Sequence, residues 1–407
     1  MKIFYSLEPS WFNPIKFNFA WGTRHIALAC TSRVDISLLQ RIGHFVLGLL
    51  LCIPVLGRAI AGIEYLIHIY SKVAVVHLTG KTPYEMGKMH GELLKEEIKE
   101  IYPAVLAKIQ KDWEWKKQCL PEAEKLESLL SNDLKQELRG LAEGSGQDYD
   151  DVLRVNLFPD VYGSDIFACS ATGVVQENGR RMHVVATNHF RDQSIDPFKD
   201  SNLRYLSLDK AEDQNNPRFE LKQRLKNVNR EHTVQSLIFD TSKGKISIAR
   251  SETFASSANY FSYSPFTNVG QPASKKVKLA RNFDFSFPVL SQTTTLFVRH
   301  FQDGTESAVV GWPGFIGAVS GSNNHGLALA VCASGKETET ATANFPFLQK
   351  LLRDCKTTKE ALASMRQHSF ASCMNVTLVG RDAIAAVEID LSRKAHGIAA
   401  EDVKAID

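Results

Sequence analysis

The stretch Phe167-Ala168-Cys169-Ser170-Ala171-Thr172 opens the segment around which the predicted fold is organised. An alternating, strand-like run continues from Cys169 to Gln176, Asn178-Gly179 follows, and a second strand-like run extends from Arg180 to Thr187. Asn-Gly between two such runs is the strongest short-range signal of a β-hairpin, because both turn residues must adopt a positive φ. The order of residues therefore predicts a hairpin whose first strand begins at Cys169.

The composition is that of a globular protein with a large core: 407 residues, 44% of them hydrophobic and 23% charged. A net charge of +3, without a basic run or a nucleic-acid-binding motif, gives no support for nucleic acid as a partner. The seven cysteines form no CxxC pair, which indicates reduced thiols in a reducing compartment. No phosphate loop, HExxH motif or dinucleotide fingerprint occurs, so we expect neither a cofactor nor a metal.

The N-terminal region, residues 1–72, is set apart by its apolar content. Its first forty residues lack the pattern of a signal peptide. Residues 45–56 are apolar throughout but fewer than the roughly 20 that span a bilayer, and Pro54 and Gly57 predict two short helices folded back at about 42–70. This hydrophobic hairpin is either a buried or oligomer-forming helical pair or a monotopic contact with a membrane surface. The expected location is accordingly cytoplasmic or membrane-associated.

A mainly helical segment is predicted for residues 73–168. A strand at 73–80 is followed by Thr82, Pro83 and Glu85, which fit the N-cap, first and third positions of a helix with a capping box. Later helices are expected up to residue 143, where Gly144 and Gly146 provide the glycine that commonly follows a helix.

The third predicted region, residues 169–407, alternates strands with helices. Residues 191–245 are polar and weakly patterned, which indicates an insertion with one or two strands, for instance at 233–239. Further strands are expected at 245–250, 279–285, 293–301, 318–320, 327–332, 374–379 and 383–389, and helices at 345–353 and 358–366. Helices, then strands, then helices and strands again favour an α+β fold with layered sheets and helices outside.

Five motifs occur in a consistent order over residues 73 to 390: residues 79–91, residues 138–146, Ala168-Cys169-Ser170, Ala280-Arg281-Asn282-Phe283-Asp284-Phe285, and the glycine-rich residues 311–327. Together they resemble the penicillin acyltransferase family (acyl-coenzyme A:6-aminopenicillanic acid acyltransferase-like) of N-terminal-nucleophile (Ntn) hydrolases. The hydrophobic front end lies outside the resemblance.

The resemblance implies an αββα Ntn-hydrolase sandwich whose chain cuts itself between Ala168 and Cys169. The new α-amine then serves as the base for the thiol, and a thiol of pKa about 8.5 and an amine of about 7.7–8.0 are well matched for proton exchange. It also implies hydrolysis or transfer of the acyl group of a small-molecule N-acyl amide, or of an acyl-CoA-like substrate, through a thioester on Cys169. Two alternatives stay open: an acid-ceramidase- or bile-salt-hydrolase-like amidase, and a catalytically inactive Ntn-fold binding or membrane-associated interaction protein.

One departure from the family concerns the Arg-Asn-x-Asp motif, which the family carries roughly twenty residues after the nucleophile. At that position the chain has Ala186-Thr187-Asn188-His189-Phe190, and the matching copy begins only at Arg281. Either an insertion separates two segments that fold back together, or the active hairpin is a different one. In the second case Ser256, within the strand-like residues 254–258, is the alternative nucleophile; the third option is that neither residue acts.

The resemblance also implies roles for four further residues. Asp284 would orient the Cys169 amine and Arg281 would steady the thiolate or the substrate, although strand alternation places the two on opposite faces and a salt bridge at a sheet edge is the alternative. Asn323 and Asn375 are candidates for holding the oxyanion. Their alternative roles are a turn asparagine for Asn323 and a strand-end cap for Asn375.

Overall fold

The computed structural model describes residues 73–111, 124–162, 167–177, 180–188, 201–209, 221–251, 254–269, 276–285, 289–338, 341–389 and 395–399. All of them belong to one compact unit, Val73–Asp407. The predictions for residues 1–72, including the hydrophobic hairpin at about 42–70, lie outside the described residues.

The α-helices are α1 Pro83–Leu93, α2 Lys95–Lys111, α3 Asn132–Ser145, α4 Tyr149–Tyr162, α5 Ser201–Asp209, α6 Leu221–Asn227, α7 Val289–Gln292, α8 Asn344–Asp354 and α9 Thr358–Arg366. Residues 124–129 are helical as well. None of the helices among the described residues is both long enough and apolar enough to cross a bilayer.

The strands form two sheets, so the fold is mixed α+β. They are β1 Ala74–Thr79, β2 Phe167–Glu177, β3 Arg180–Ala186, β4 Thr233–Asp240, β5 Lys245–Arg250, β6 Phe261–Tyr263, β7 Lys276–Phe285, β8 Thr295–His300, β9 Glu306–Gly311, β10 Ser320–Asn323, β11 Ala328–Thr338, β12 Ser372–Val379, β13 Ile384–Ile389 and β14 Ala395–Ala399. The eight-stranded sheet has the order β1-β8-β9-β10-β11-β12-β13-β14, and the six-stranded sheet has the order β3-β2-β7-β4-β5-β6.

Helix α1 begins with the predicted capping box, in which Thr82 accepts from the backbone of Glu85 and Glu85 accepts from the backbone of Thr82. It then packs against α3 at very short range through glycines. A Cβ added at Gly140 of α3 would lie 2.0 Å from the carbonyl oxygen of Tyr84, and one at Gly87 of α1 would lie 2.0 Å from that of Glu137. The glycines of the first two motifs therefore serve helix packing.

The predicted hairpin is confirmed, since β2 pairs with β3 in antiparallel register with Ala171 opposite Ala186. On its other side β2 pairs with β7, which places Phe283 opposite Cys169 and Asp284 opposite Ala168. The late motif thus lies directly beside the early one, as the insertion hypothesis expected. Strand β4 of the intervening segment pairs with both β7 and β5, so it is an integral strand of this sheet.

The two sheets pack face to face. A Cβ at Gly173 of β2 would lie 2.6 Å from a methyl group of Val379 on β12. Helices cover outer faces: Leu352 of α8 contacts the position of Gly321 on β10, and Asn282 of β7 donates to the carbonyl oxygen of Leu225 on α6 at 2.8 Å. The side chains between the sheets are consequently withdrawn from solvent.

The strand prediction for residues 254–258 is wrong. Ala255–Ser257 form a 3₁₀ turn, and Phe254 before it has φ = 50°. A backbone in the left-handed region cannot continue a β-strand, so the strand-like residues 254–258 do not form one.

Candidate active site

Cys169 and Arg281 meet between the two sheets. Arg281 Nη2 donates to Cys169 Sγ at 3.2 Å and to the carbonyl oxygen of Val331 at 2.9 Å, and Arg281 Nη1 donates to Ser320 Oγ. Both Cys169 and Arg281 are only 1% exposed. Of the residues singled out from the sequence, these two are brought into direct contact.

A second cysteine, Cys332, lies beside Cys169. Cys332 of β11 lies within hydrogen-bonding reach of Cys169, and its own Sγ donates to the carbonyl oxygen of Ala186 at 3.6 Å. Burial and the hydrogen bond with Cys169 raise the pKa of Cys332 well above its ordinary value. Cys332 therefore stays a neutral thiol, and its single proton can be donated either to the carbonyl oxygen of Ala186 or to Cys169 Sγ. Its position beside Cys169 was not predicted from the sequence.

The pKa of Cys169, the nucleophile candidate, shifts in the opposite direction to that of Cys332. Burial alone would raise the pKa of Cys169, but the hydrogen bond from Cys332, the charge and hydrogen bond of Arg281 and the backbone N–H of Asp284 lower it below its ordinary value. A thiolate is the reactive form of cysteine, so this environment favours nucleophilic chemistry near neutral pH.

The backbone of Cys169 is held by Asn188. This residue lies in the segment where the family's Arg-Asn-x-Asp motif was expected and is missing, and no role was predicted for it. The Cys169 N–H donates to Asn188 Oδ1 at 2.7 Å, Asn188 Nδ2 donates to the carbonyl oxygen of Ala333 at 2.6 Å, and the Asn188 N–H donates to Ser201 Oγ at 2.9 Å. Extending the register of Ala171 opposite Ala186 by two residues puts position 188 opposite 169. That register was the available signal.

Arg204 of α5 contacts the same peptide groups. Its Nη1 donates to the carbonyl oxygen of Cys169 and, at 2.8 Å, to Ser170 Oγ, while Nη2 donates to Asn188 Oδ1 at 3.0 Å. Arg204 is 5% exposed. It lies in the segment predicted to be an insertion, and nothing in the local sequence marks it as part of the site.

Asp284 lies on the other face of β7, beside the peptide bond that precedes Cys169. It pairs with Ala168 across the strands, and its Oδ1 accepts from Thr233 Oγ1 at 2.5 Å. Its Oδ2 is buried and has no hydrogen-bond partner within the described part of the chain. Burial and then the nearby charge of Cys169 raise the pKa of Asp284 to about 7, against the opposing effects of Arg204, Thr233 and Arg230.

The two oxyanion candidates lie in different places. Asn375 of β12 is opposite Cys332 in the sheet and donates to the carbonyl oxygen of Thr187 at 2.8 Å, so it is adjacent to the site. Asn323 donates both amide hydrogens to the end of α8, at 3.0 Å to Leu352 O and 2.7 Å to Cys355 O. The structure therefore does not bring Asn323 to Cys169.

Ser256, the alternative nucleophile, is buried and donates to the carbonyl oxygen of Leu225 at 3.2 Å. Its contacts are with α6, whereas the contacts of Arg281 are with Cys169, Val331 and Ser320. The arginine and the aspartate of the late motif accordingly surround Cys169.

A small cavity borders the site. Its volume is about 10 Å³ for the centre of a water-sized sphere, which is room for about one water molecule, and its wall is mostly apolar. The lining residues are Val185, Ala186, Tyr205, Asn375, Ala386, Val387 and Glu388. No cluster of three or more metal-ligating side chains occurs in the ranges that the structure describes.

Two family models match the chain. One, a protein family of unknown function (DUF575), matches residues 33–96. The other, acyl-coenzyme A:6-aminopenicillanic acid acyl-transferase, matches residues 272–405, which contain Arg281, Asp284 and Asn375 and leave out Cys169. A search of the curated proteins finds no match to the chain. The family model that matches residues 272–405 is that of the family which the motifs resemble, so the resemblance is confirmed over this third of the chain.

Proposed function

We propose that the protein is a self-processing cysteine amidohydrolase or acyltransferase with an αββα Ntn-hydrolase sandwich and Cys169 as its nucleophile. The observation that carries this proposal is the 3.2 Å hydrogen bond from Arg281 to the Cys169 thiol. It joins an arginine of the family-matched segment to a cysteine outside it. Two packed sheets with helices on outer faces support the sandwich.

The first step is the cut between Ala168 and Cys169. The Cys169 thiol adds to the carbonyl carbon of Ala168, its proton passes to the Cys169 nitrogen, and the bond from that carbon to the nitrogen breaks. Water then hydrolyses the resulting thioester and returns the thiol. The products are a carboxylate on Ala168 and a free α-amine on Cys169. Asp284 lies opposite Ala168 with one unpartnered carboxylate oxygen. That oxygen would accept a hydrogen bond from the new amine, which explains its lack of a partner in the uncut chain.

The second step is acyl transfer. The thiolate attacks the carbonyl carbon of an N-acyl amide, and the α-amine of Cys169 passes the proton to the leaving amine. Water or another acceptor then takes the acyl group from the thioester. Asn375 is the better oxyanion donor because it borders both Cys332 and the cavity. Asn323 is left out of this proposal because both of its amide hydrogens are engaged at α8.

The proposed substrate is a small-molecule N-acyl amide or an acyl-CoA-like thioester, in line with the name of the matching family. The apolar residues 42–70 favour a lipid-like substrate met at a membrane surface. Hydrolase and transferase differ only in whether water or an amine accepts the acyl group.

A second candidate function is an Ntn-fold binding or membrane-associated interaction protein. It is favoured by the burial of Cys169, which is 1% exposed in the uncut chain, and by the absence of Cys169 from the family match. A buried thiol that stays buried would not reach a substrate.

The test of the proposed function is site-specific alkylation by iodoacetamide at neutral pH, read by peptide mass spectrometry. The variants are the wild type, Cys169→Ala, and Cys355→Ala as the matched control, since Cys355 is a buried thiol at the end of α8 whose pKa burial raises to about 11. We expect Cys169 to be alkylated faster than Cys355, and total labelling to fall only in Cys169→Ala. Equal labelling of the wild type and Cys169→Ala would support the binding function instead.

A further inference from the structure

The ladder of strand β2 is incomplete at the proposed nucleophile. Strand β3 ends at Ala186, which pairs with Ala171, so within the described residues the ladder between β2 and β3 does not reach positions 169 and 170. In an antiparallel sheet the N–H and C=O of one residue point to the same neighbouring strand. The backbone groups of Cys169 that face β3 therefore need other partners.

Two side chains replace the missing strand. Asn188 Oδ1 accepts from the Cys169 N–H at 2.7 Å, and Arg204 Nη1 donates to the Cys169 carbonyl oxygen. The two side chains are themselves joined, because Arg204 Nη2 donates to Asn188 Oδ1 at 3.0 Å. One arginine and one asparagine thus hold both peptide groups of a single residue.

The pair is anchored on elements other than β2. Asn188 Nδ2 donates to the carbonyl oxygen of Ala333 on the facing sheet at 2.6 Å, and Arg204 belongs to α5. Arg204 is 5% exposed and Asn188 is fully buried. Burying a guanidinium carries a large desolvation free energy. A neutral donor could hold a strand end in place with a smaller desolvation penalty. The charge of Arg204 is explained by the Cys169 carbonyl oxygen that it contacts and by the nearby carboxyl group of Asp284, whose pKa it lowers against the larger effect of burial.

We propose that Arg204, acting with Asn188, is the positioning residue for self-cleavage: it fixes the peptide groups of Cys169 so that the thiol faces the carbonyl carbon of Ala168. This inference rests on the proposed function. The attacking thiol and the carbonyl carbon belong to neighbouring residues, so the attack requires a defined orientation of the backbone between them. A small misplacement of the reacting groups lowers the rate by a large factor. Arg281 acts on the thiolate through its charge, whereas Arg204 acts on the geometry of the backbone.

The experiment compares self-cleavage with thiol chemistry in the same full-length variants. Arg204→Met and Arg204→Lys are expressed beside Arg250→Met, a control arginine that also donates to backbone carbonyl groups, at Ser291 and Gln292. The fraction cut is followed by intact mass after synthesis, and iodoacetamide alkylation of Cys169 is measured on the uncut chain. Thermal unfolding reports whether each variant is folded.

For Arg204→Met we expect self-cleavage to slow at least about tenfold, with Cys169 alkylation within about twofold of the wild type. Arg204→Lys should recover part of the cleavage rate, and Arg250→Met should be cut like the wild type. A purely structural role would lower both readouts together. Cutting of Arg204→Met at the wild-type rate, or an equal loss of both readouts, would overturn the inference.

If Arg204→Met does not fold, Asn188→Ala decides, since it leaves the arginine in place and removes the acceptor of the Cys169 N–H, together with the bonds from Asn188 to Ala333 and Arg204. Slow cleavage with normal alkylation would support the inference, and normal cleavage would overturn it. A wild-type chain that stays uncut while Cys169 is alkylated would overturn the proposed self-processing and this inference with it. A cut wild type with a normally cut Arg204→Met would overturn the inference alone.

Discussion

The guanidinium of Arg281 donates a hydrogen bond to the thiol of Cys169 at 3.2 Å, although 112 positions of chain separate the two residues. The contact exists because β7 pairs with β2 in a register that puts Ala171 opposite Arg281 and Phe283 opposite Cys169. A buried cation beside a thiol favours the thiolate, and the same cation is further oriented by Val331 and Ser320. The site is therefore assembled by sheet pairing rather than by one local motif.

The first prediction concerns the charge of Arg281. Because the guanidinium lowers the pKa of Cys169, Arg281→Met should raise that pKa. The midpoint of the pH profile of Cys169 alkylation should then move up by about one pH unit or more. Arg281→Lys keeps the charge and should move the midpoint less. The profile is measured by mass spectrometry, with Arg250→Met as the control. An unchanged midpoint in Arg281→Met would mean that the arginine does not act on the thiol.

The second prediction concerns the neighbouring thiol. The hydrogen bond from Cys332 also lowers the pKa of Cys169, so Cys332→Ala should slow alkylation of Cys169 at neutral pH. Cys373→Ala, which removes another buried cysteine of the eight-stranded sheet, is the matched control and should leave the rate unchanged. Alkylation at the wild-type rate in Cys332→Ala would show that the two thiols are not coupled.

The third prediction concerns Asp284, whose pKa is raised to about 7 by burial and by the charge of Cys169. Above the unfolded value of about 3.9 the unfolded chain releases a proton that the folded chain keeps, so the folded state loses stability as pH rises from about 4 to 7. Asp284→Asn removes this loss. The variant should gain stability relative to the wild type between pH 5 and 8, and its self-cleavage should fail.

Chemical denaturation of both proteins at several pH values measures this difference, with Cys169→Ala as the common background so that both chains stay uncut. This background removes the charge of Cys169 but keeps burial, which is the larger cause of the raised pKa of Asp284. A stability difference that does not change with pH would contradict the raised pKa. Normal self-cleavage of Asp284→Asn in the otherwise native chain would contradict its role at the cut.

The sequence predicted the pieces of the site better than their arrangement. The hairpin, the capping box at Thr82 and the pairing of Cys169 with Arg281 follow from local signals and from motif order. Asn188 could be found only by extending the hairpin register to the position opposite Cys169. Arg204 could not be found, because its side chain takes the place of a missing strand from a separate helix, and this leaves no periodic signal in the sequence.

The prediction for Asn323 failed in the opposite way. Its motif is present in the sequence, but the structure does not place Asn323 beside Cys169. Ser320 of β10 lies beside Arg281, but Asn323 is three residues further along the strand and so faces the other side of the sheet. Its amide is used at the end of α8. The motif gives the order of the residues but does not show which face of the strand each side chain occupies.

The fourth prediction separates the two asparagines. Asn323→Ala should destabilise the fold by about 1–3 kcal/mol, because two carbonyl groups at the end of α8 lose their donor, and should leave Cys169 chemistry unchanged. Asn375→Ala should instead lower turnover of a fluorogenic N-acyl aminocoumarin, by about 10²–10³ if its amide holds the oxyanion. Thermal unfolding and steady-state kinetics on both variants measure the contrast. A loss of turnover in folded Asn323→Ala would reverse the assignment.

The fifth prediction concerns the glycine contact between α1 and α3. Gly140→Ala would bring a methyl group to 2.0 Å from the backbone of Tyr84, so the helices must separate and the fold should lose about 1–3 kcal/mol or more. Gly311→Ala is the control, since the nearest atoms to its added methyl group are 3.8 Å away. Equal unfolding free energies for the two variants would show that the close packing is not required.

Self-processing at Cys169 is tested by the intact mass of the purified wild-type chain under denaturing conditions, with Cys169→Ala beside it. We expect two fragments from the wild type, one of 168 residues and one whose first residue is Cys169, and a single chain of 45.4 kDa from Cys169→Ala. A cut before Ser256 would move the nucleophile to the other candidate. A wild-type chain that remains at 45.4 kDa would contradict self-processing at Cys169.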